Sequence, residues 1–192
     1  NTVIDGEENG TQTQTVTILD NDNTPTVTLL TGSATINEEG GTTTVTVELS
    51  AIAGRDVTVT LAKSGPVVDN GSAIEDTDYT LVTTIVIPTL VPSVTVTLIS
   101  LTDLLDERDE DVVVNIDTVK NGNEAGGANG QQKTVTINDD DATPTVILTV
   151  GSVSIAETGG TTTVTATLSA IAGRDVTVGL KKSAAPQVSG AL

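Results

Sequence analysis

Gly40-Gly-Thr-Thr-Thr-Val-Thr-Val-Glu-Leu49 is a glycine pair followed by a strict alternation. Val45, Val47 and Leu49 fall on one face; Thr44, Thr46 and Glu48 fall on the other. β-Branched residues at a period of two signal a half-buried strand. The same pattern runs through Asp56-Val-Thr-Val-Thr-Leu61 and Ser93-Val-Thr-Val-Thr-Leu98. Thr26 to Leu30, Thr83 to Ile87, Val112 to Ile116 and Gln132 to Ile137 complete the set. Between them lie turn clusters: Asn37-Glu-Glu-Gly-Gly41, Ala53-Gly-Arg-Asp56, Asp69-Asn-Gly-Ser72 and Asn121 to Gly130. About seven short strands punctuated in this way predict an all-β fold, an antiparallel two-sheet sandwich of immunoglobulin-like type. The chain has no Phe, Trp or Met, and Tyr79 is its only aromatic, so the core must be Val, Ile and Leu. Thr on the outward faces combines β-propensity with solubility.

The pattern also repeats on a larger scale. Thr24-Pro-Thr-Val27 returns as Thr143-Pro-Thr-Val146, and Gly40 to Thr46 returns as Gly159 to Thr165. Ala51-Ile-Ala-Gly-Arg-Asp-Val-Thr-Val59 returns letter for letter at Ala170 to Val178. Thr15-Val-Thr-Ile18 foreshadows Thr134-Val-Thr-Ile137, and every pair is offset by 119 residues. That period is a whole domain, beyond the ~20–50 residues of solenoid repeats. The expected organisation is therefore a window on tandem sandwiches. Residues 1–23 are the end of a preceding repeat, 24–142 a complete repeat, and 143–192 the start of a following one. The two end pieces lack the middle strands, so either the chain is cut from a longer polypeptide or neighbouring molecules complete its ends.

Composition excludes several classes. Eight basic against 26 acidic residues give a formal net charge of −18, the wrong sign for nucleic acid. The absence of Cys and His removes zinc, copper, haem and iron–sulfur sites of the usual kinds. It also leaves catalysis only carboxylates, Ser or Lys, and Lys63 and Lys182 read as solvated; an enzyme is not expected. No segment approaches the ~20 apolar residues of a membrane helix.

The acids gather at strand ends: Glu38-Glu39; Asp69, then Glu75-Asp76-Thr-Asp78; Asp103, then Asp106-Glu-Arg-Asp-Glu-Asp111; and Asp139-Asp-Asp141. Sandwich topology could bring these loops to one end. Their mutual repulsion then calls for a neutralising ion. Oxygen ligands in flexible loops, without nitrogen or sulfur, suit Ca²⁺, which takes about 6–8 oxygens.

The ordered set Gly40 to Val47, Asp78-Tyr79-Thr80, Val94 to Leu98, the Asp103 to Glu110 loop and the closing Thr134-Val-Thr-Ile-Asn-Asp-Asp-Asp141 resembles a Calx-beta domain. This is the Ca²⁺-binding sandwich of sodium–calcium exchangers, integrin β4 and many repetitive bacterial surface proteins. The resemblance implies Ca²⁺ ligation by Glu38, by Asp69 or its neighbour Asn70, by Asp103 and Glu107, and by Asp139, Asp140 and Asp141. The family often has a further Asp before Asp103; here Thr102 stands there, which implies fewer or weaker ion sites. Glu157 is the counterpart of Glu38 in the following repeat.

Near-copying of units, with Pro25 and Pro144 stiffening short joints, points to a structural role. The expected protein is an extracellular, Ca²⁺-stiffened repeat of a surface filament, sheath or adhesin. It would assemble head to tail with neighbouring repeats and copies of itself, with no segment inserting into a membrane. The alternatives are a ligand-binding adhesion module for surface polysaccharide or protein, and a Ca²⁺-sensing regulatory domain.

Overall fold

The computed structural model describes residues 3–64, 71–127 and 130–182. In chain order the strands are β1 (Thr26–Thr31), β2 (Thr35–Asn37), β3 (Thr42–Leu49), β4 (Val57–Ser64), β5 (Gly71–Ser72), β6 (Tyr79–Leu81) and β7 (Thr84–Ile87). They continue with β8 (Ser93–Ser100), β9 (Glu110–Lys120), β10 (Asn123–Glu124), β11 (Gln132–Asn138), β12 (Val146–Val150) and β13 (Val164–Leu168). No helix occurs among the described residues, and none therefore crosses a membrane.

β1 to β11 form two facing sheets. One has the order β10-β1-β3-β8-β6, the other β2-β11-β9-β4-β7, with β5 added on β9. The long pairs are antiparallel, while the short strands β2, β5 and β10 join in parallel. The alternating faces of β3 and β4 meet as expected: Val45, Val47, Val57 and Val59 are wholly buried. They pack with Val27, Leu29, Ile85, Ile87, Leu98, Val112, Val114, Ile116 and Val135 in one aliphatic core. Tyr79 is the aromatic member of that core. On the outer face the cross-strand pair Thr46 and Thr95 joins its hydroxyls at 2.8 Å.

All seven expected strands are present, with shifted ends. Four further strands, β2, β5, β6 and β10, are only two or three residues long. Such strands are too short to carry a period and exist because a longer neighbour offers its edge. Lys63 is not a solvated lysine: its side chain is 17% exposed, on β4, and paired with Glu75. Lys182 is exposed, as expected.

Outside the sandwich, β12 and β13 form a separate hairpin. Its register, Val146 opposite Leu168, is that of Val27 opposite Leu49 moved by 119 residues. Thr15 to Ile18, the counterpart of Thr134 to Ile137, forms no strand, and Val16 and Ile18 are 86% and 92% exposed. The matching Thr134 to Ile137 pairs with β9 and β2; residues 15–18 have no such neighbours among the described residues.

Candidate metal centre

The sandwich places the β2–β3 turn, the β8–β9 loop, the approach to β6 and the exit of β11 at one end. The β2–β3 turn is tight. Gly40 has φ 68°, a left-handed conformation glycine adopts freely. A Cβ on Gly41 would stand 2.0 Å from the carbonyl oxygen of Asn37. The buried Ser100 hydroxyl donates into this turn, 2.8 Å from the carbonyl oxygens of Asn37 and Glu38 and 3.0 Å from that of Gly41. Thr102 adds a donor to the Glu38 carbonyl at 3.3 Å. The backbone of Glu38 is thus held by two hydroxyls from the β8 side, and the residue as a whole is 8% exposed.

Around it the acids assemble in two triads. Carboxylate oxygens of Glu38, Asp139 and Asp141 lie within 4.8 Å of one another, and so do those of Asp78, Glu107 and Glu110. Glu38, Asp78, Glu107, Glu110 and Asp139 line one small cleft with Leu101, Arg108 and Ile137, so the triads adjoin. Backbone amides tie the loops together. Asp103 N donates to Glu38 Oε1 at 3.0 Å, Glu107 N to Asp139 Oδ1 at 3.2 Å, and Asp139 N to Asp109 Oδ1 at 3.2 Å. Asp78 Oδ2 accepts from Ile74 N at 2.5 Å.

The electrostatics are those of acids forced together. Burial raises the Glu38 pKa. The Asp103 amide opposes this, while the charges of Asp103, Asp141 and Asp139 add to it. Burial and the charges of Asp103, Asp78, Asp139 and Asp141 raise Glu107. Asp141 is raised by desolvation and then by Asp139, Asp140, Asp103 and Asp106. Glu110 is pushed up to about 8 by burial, by its hydrogen bond with Asp78, and by the charges of Asp78, Glu107 and Glu38.

Of the expected ligands, Glu38, Glu107, Asp139 and Asp141 join the triads. Asp103 stands beside them, bonded through its amide to Glu38. Asp140 is exposed and belongs to neither triad. Asp69 and Asn70 lie outside the described residues. The structure adds Asp78 and Glu110 instead. Their signal in the sequence was position: Asp78 directly precedes β6, and Glu110 is the first residue of β9, so a hydrogen-bonded ladder fixes Glu110 itself and the residue next to Asp78.

A family model, the Calx-beta domain, matches residues 20–141. The chain belongs to the Calx-beta family. Calx-beta domains bind Ca²⁺, and the donors of both triads are oxygen alone, the set that suits this ion. Among solved structures, this Calx-beta chain is similar to CBD12 from CALX1.2, at 21% identity and TM-score 0.45, covering 62% of this chain and 46% of that one. It is also similar to the apo-form Calx CBD1 domain, at 21% identity and TM-score 0.46, covering 60% of this chain and 99% of that one. The calcium binding domain CBD12 of CALX1.1 is a third, at 21% identity and TM-score 0.44, covering 60% of this chain and 46% of that one. The Calx-beta chain thus spans less than half the length of the two CBD12 structures. No curated protein matches it.

Proposed function

We propose that this chain is a Ca²⁺-responsive binding module whose ion-bound end doubles as a mechanical joint. The observation that carries the reading is the pair of adjoining carboxylate triads at one end of the sandwich. Glu38, Asp139 and Asp141 would hold one ion; Asp78, Glu107 and Glu110 would hold another. Bound Ca²⁺ supplies the positive charge that lets these acids ionise side by side. The residues do the rest. Ser100 and Thr102 hold the Glu38 backbone in place, and the Asp103 and Glu107 amides lock the β8–β9 loop to Glu38 and Asp139. Ion binding would therefore draw together the β2–β3 turn, the β8–β9 loop and the exit towards Thr143. The role is binding rather than catalysis.

Two uses fit such a module. Family membership favours a Ca²⁺-sensing regulatory domain. The copying of sequence at a 119-residue offset favours a stiffened repeat of an extracellular filament, sheath or adhesin. Affinity separates them. Sensors bind at about 10⁻⁷–10⁻⁵ M and extracellular modules at about 10⁻⁴–10⁻³ M. Calorimetric titration of the chelator-stripped chain is expected to give saturable heat, and at 100 times the dissociation constant each independent site should add about 2.7 kcal/mol of stability. Sub-10-micromolar binding would select the sensor, and near-millimolar binding the repeat. No heat and no thermal shift at several millimolar Ca²⁺ would dismiss both.

A further inference from the structure

Asp106 takes no part in the triads, yet it is only 3% exposed. The segment after the sandwich closes over it. Arg174 grips its carboxylate with two bonds, Nη2 to Oδ1 at 2.7 Å and Nε to Oδ2 at 3.1 Å. Thr143 Oγ1 donates to the same Oδ1 at 3.1 Å. The backbones also meet, with Gly173 N donating to Asp106 O at 3.1 Å beside an Asp106–Ala172 bridge. The approach is close enough that a Cβ on Gly173 would lie 2.4 Å from Glu107 Cγ. Bidentate Arg–carboxylate bonding is among the strongest and most directional of polar contacts.

Each residue that closes over Asp106 has a counterpart 119 positions earlier. Thr143, Ala172, Gly173 and Arg174 correspond to Thr24, Ala53, Gly54 and Arg55, the last three within the nonapeptide that recurs unchanged. These counterparts sit at the end of the sandwich opposite the acids, where β1 and β4 begin and β3 ends. There Thr24, Ala53, Gly54 and Arg55 line a single open cleft with Pro25 and Asn121. Thr24 and Arg55 are exposed, and a Cβ on Gly54 would meet nothing within 4 Å.

We propose that this cleft is a receptor for the β8–β9 loop of another unit of the same kind. Asp106 of the preceding unit would seat between Thr24 and Arg55 of the next. The inference rests on the repeat reading above and supplies its contact. Arg55 alone would accept many anions, but the surroundings narrow the choice. Asp20 and Asp22 also line the cleft; they occupy the places of Asp139 and Asp141, which stand near Asp106 at the filled joint. A free polyanion would meet those carboxylates unpaired. The acidic loop arrives beside them already, as part of the same end of its own sandwich. The two surfaces differ, so the contact is heterologous and propagates along an axis instead of closing into a pair.

The chain has no cysteine, so a disulfide trap reads the contact directly. Residues 24–142 are placed directly before residues 24–192, which reproduces the Ala142-Thr-Pro junction. Glu107→Cys is made in the first copy and Gly54→Cys in the second. Bridgeable cysteines need Cβ atoms about 3.5–4.5 Å apart, and a Cβ on Gly173 would stand 2.4 Å from Glu107 Cγ, which brings the two Cβ positions within reach of each other. Mild oxidation should close this bridge at least about tenfold faster than in a control pairing Asp117→Cys of the first copy with Gly54→Cys of the second, and Arg55→Ala in the second copy should slow it by a similar factor. In a second measurement, Asp106→Arg in the first copy should extend the particle in solution scattering, and adding Arg55→Asp in the second should restore it. Equal trapping of the two cysteine pairs, or no effect of Arg55 in either assay, would overturn the proposal. The trap is run in EDTA, because Glu107→Cys removes a proposed Ca²⁺ ligand, and the scattering in EDTA and in Ca²⁺: trapping in EDTA, with scattering blind to Ca²⁺, retains the clasp and removes Ca²⁺ stiffening.

Discussion

Asp139, Asp140 and Asp141 are one residue type three times over, in different surroundings. The first and third join Glu38; the second is exposed. They directly follow β11, and successive side chains of an extended backbone project to opposite sides, so the period of two outlives the strand. Asp139→Asn or Asp141→Asn should weaken Ca²⁺ binding at least about tenfold, the effect even of losing an outer-shell partner of a metal. Asp140→Asn should change it far less, approaching the effect of Asp117→Asn on the remote part of β9. Titration calorimetry on the four variants checks the order. Were Asp140→Asn as damaging as its neighbours, Glu38, Asp139 and Asp141 would not be the ligand set.

The β2–β3 turn shows how an element serves the site. Its glycine pair reads in the sequence as a turn, but what the turn does depends on β8, whose Ser100 reaches across 59 to 63 residues of chain to hold it. Gly41→Ala puts a methyl group where Asn37 O already stands, and forcing atoms into filled space costs about 1–3 kcal/mol. The expected outcome is a lower denaturation midpoint together with weaker Ca²⁺ binding, because Glu38 moves with the turn. Gly54→Ala, in open space, should leave the midpoint of the chain nearly unchanged. Equal midpoints for both variants would mean that the turn gives way without cost.

For the whole molecule the acids make pH a variable of stability. Glu38, Glu107, Glu110 and Asp141 all have raised pKa values in the folded chain. Carboxyls raised on folding contribute stability that is complete at acid pH and lost as pH climbs through their folded values. Without Ca²⁺ the chain should therefore be most stable near pH 4–5 and weaken progressively to above pH 8, where Glu110 finally ionises at about 8. Ca²⁺ needs the ionised forms, so its affinity should rise across the same window and the slope should flatten when the ion is saturating. Near pH 7, binding should release about one proton from Glu110, read by calorimetry in buffers of different ionisation enthalpy. Glu110→Gln should remove most of that proton release and raise ion-free stability at pH 8. An ion-free chain whose stability rises from pH 5 to 8 would contradict the packing of these acids.

The alternation from Thr44 to Leu49 was enough to determine a strand, its buried face and, with six similar stretches, an aliphatic sandwich. The information was local: side-chain direction follows from backbone pleat wherever a strand forms at all. Carboxylates at strand ends were legible for the same reason, and so was the oxygen-only chemistry of the site. Which strands actually form was decided elsewhere. Ala51 to Val59 and Ala170 to Val178 are identical, yet Val57 and Val59 are wholly buried within β4, while Val176 and Val178, outside any strand, are 40% and 38% exposed. β4 lies between β7 and β9, and the second copy has no such neighbours among the described residues. Tertiary structure likewise sorted the acids, sending Asp78 and Glu110 into a triad, Asp140 to solvent and Asp106 to Arg174. A strand's hydrogen bonds and a carboxylate's partners are both supplied by distant chain, and pairing across 68 residues, as between Asp106 and Arg174, leaves no mark in the spacing of either loop.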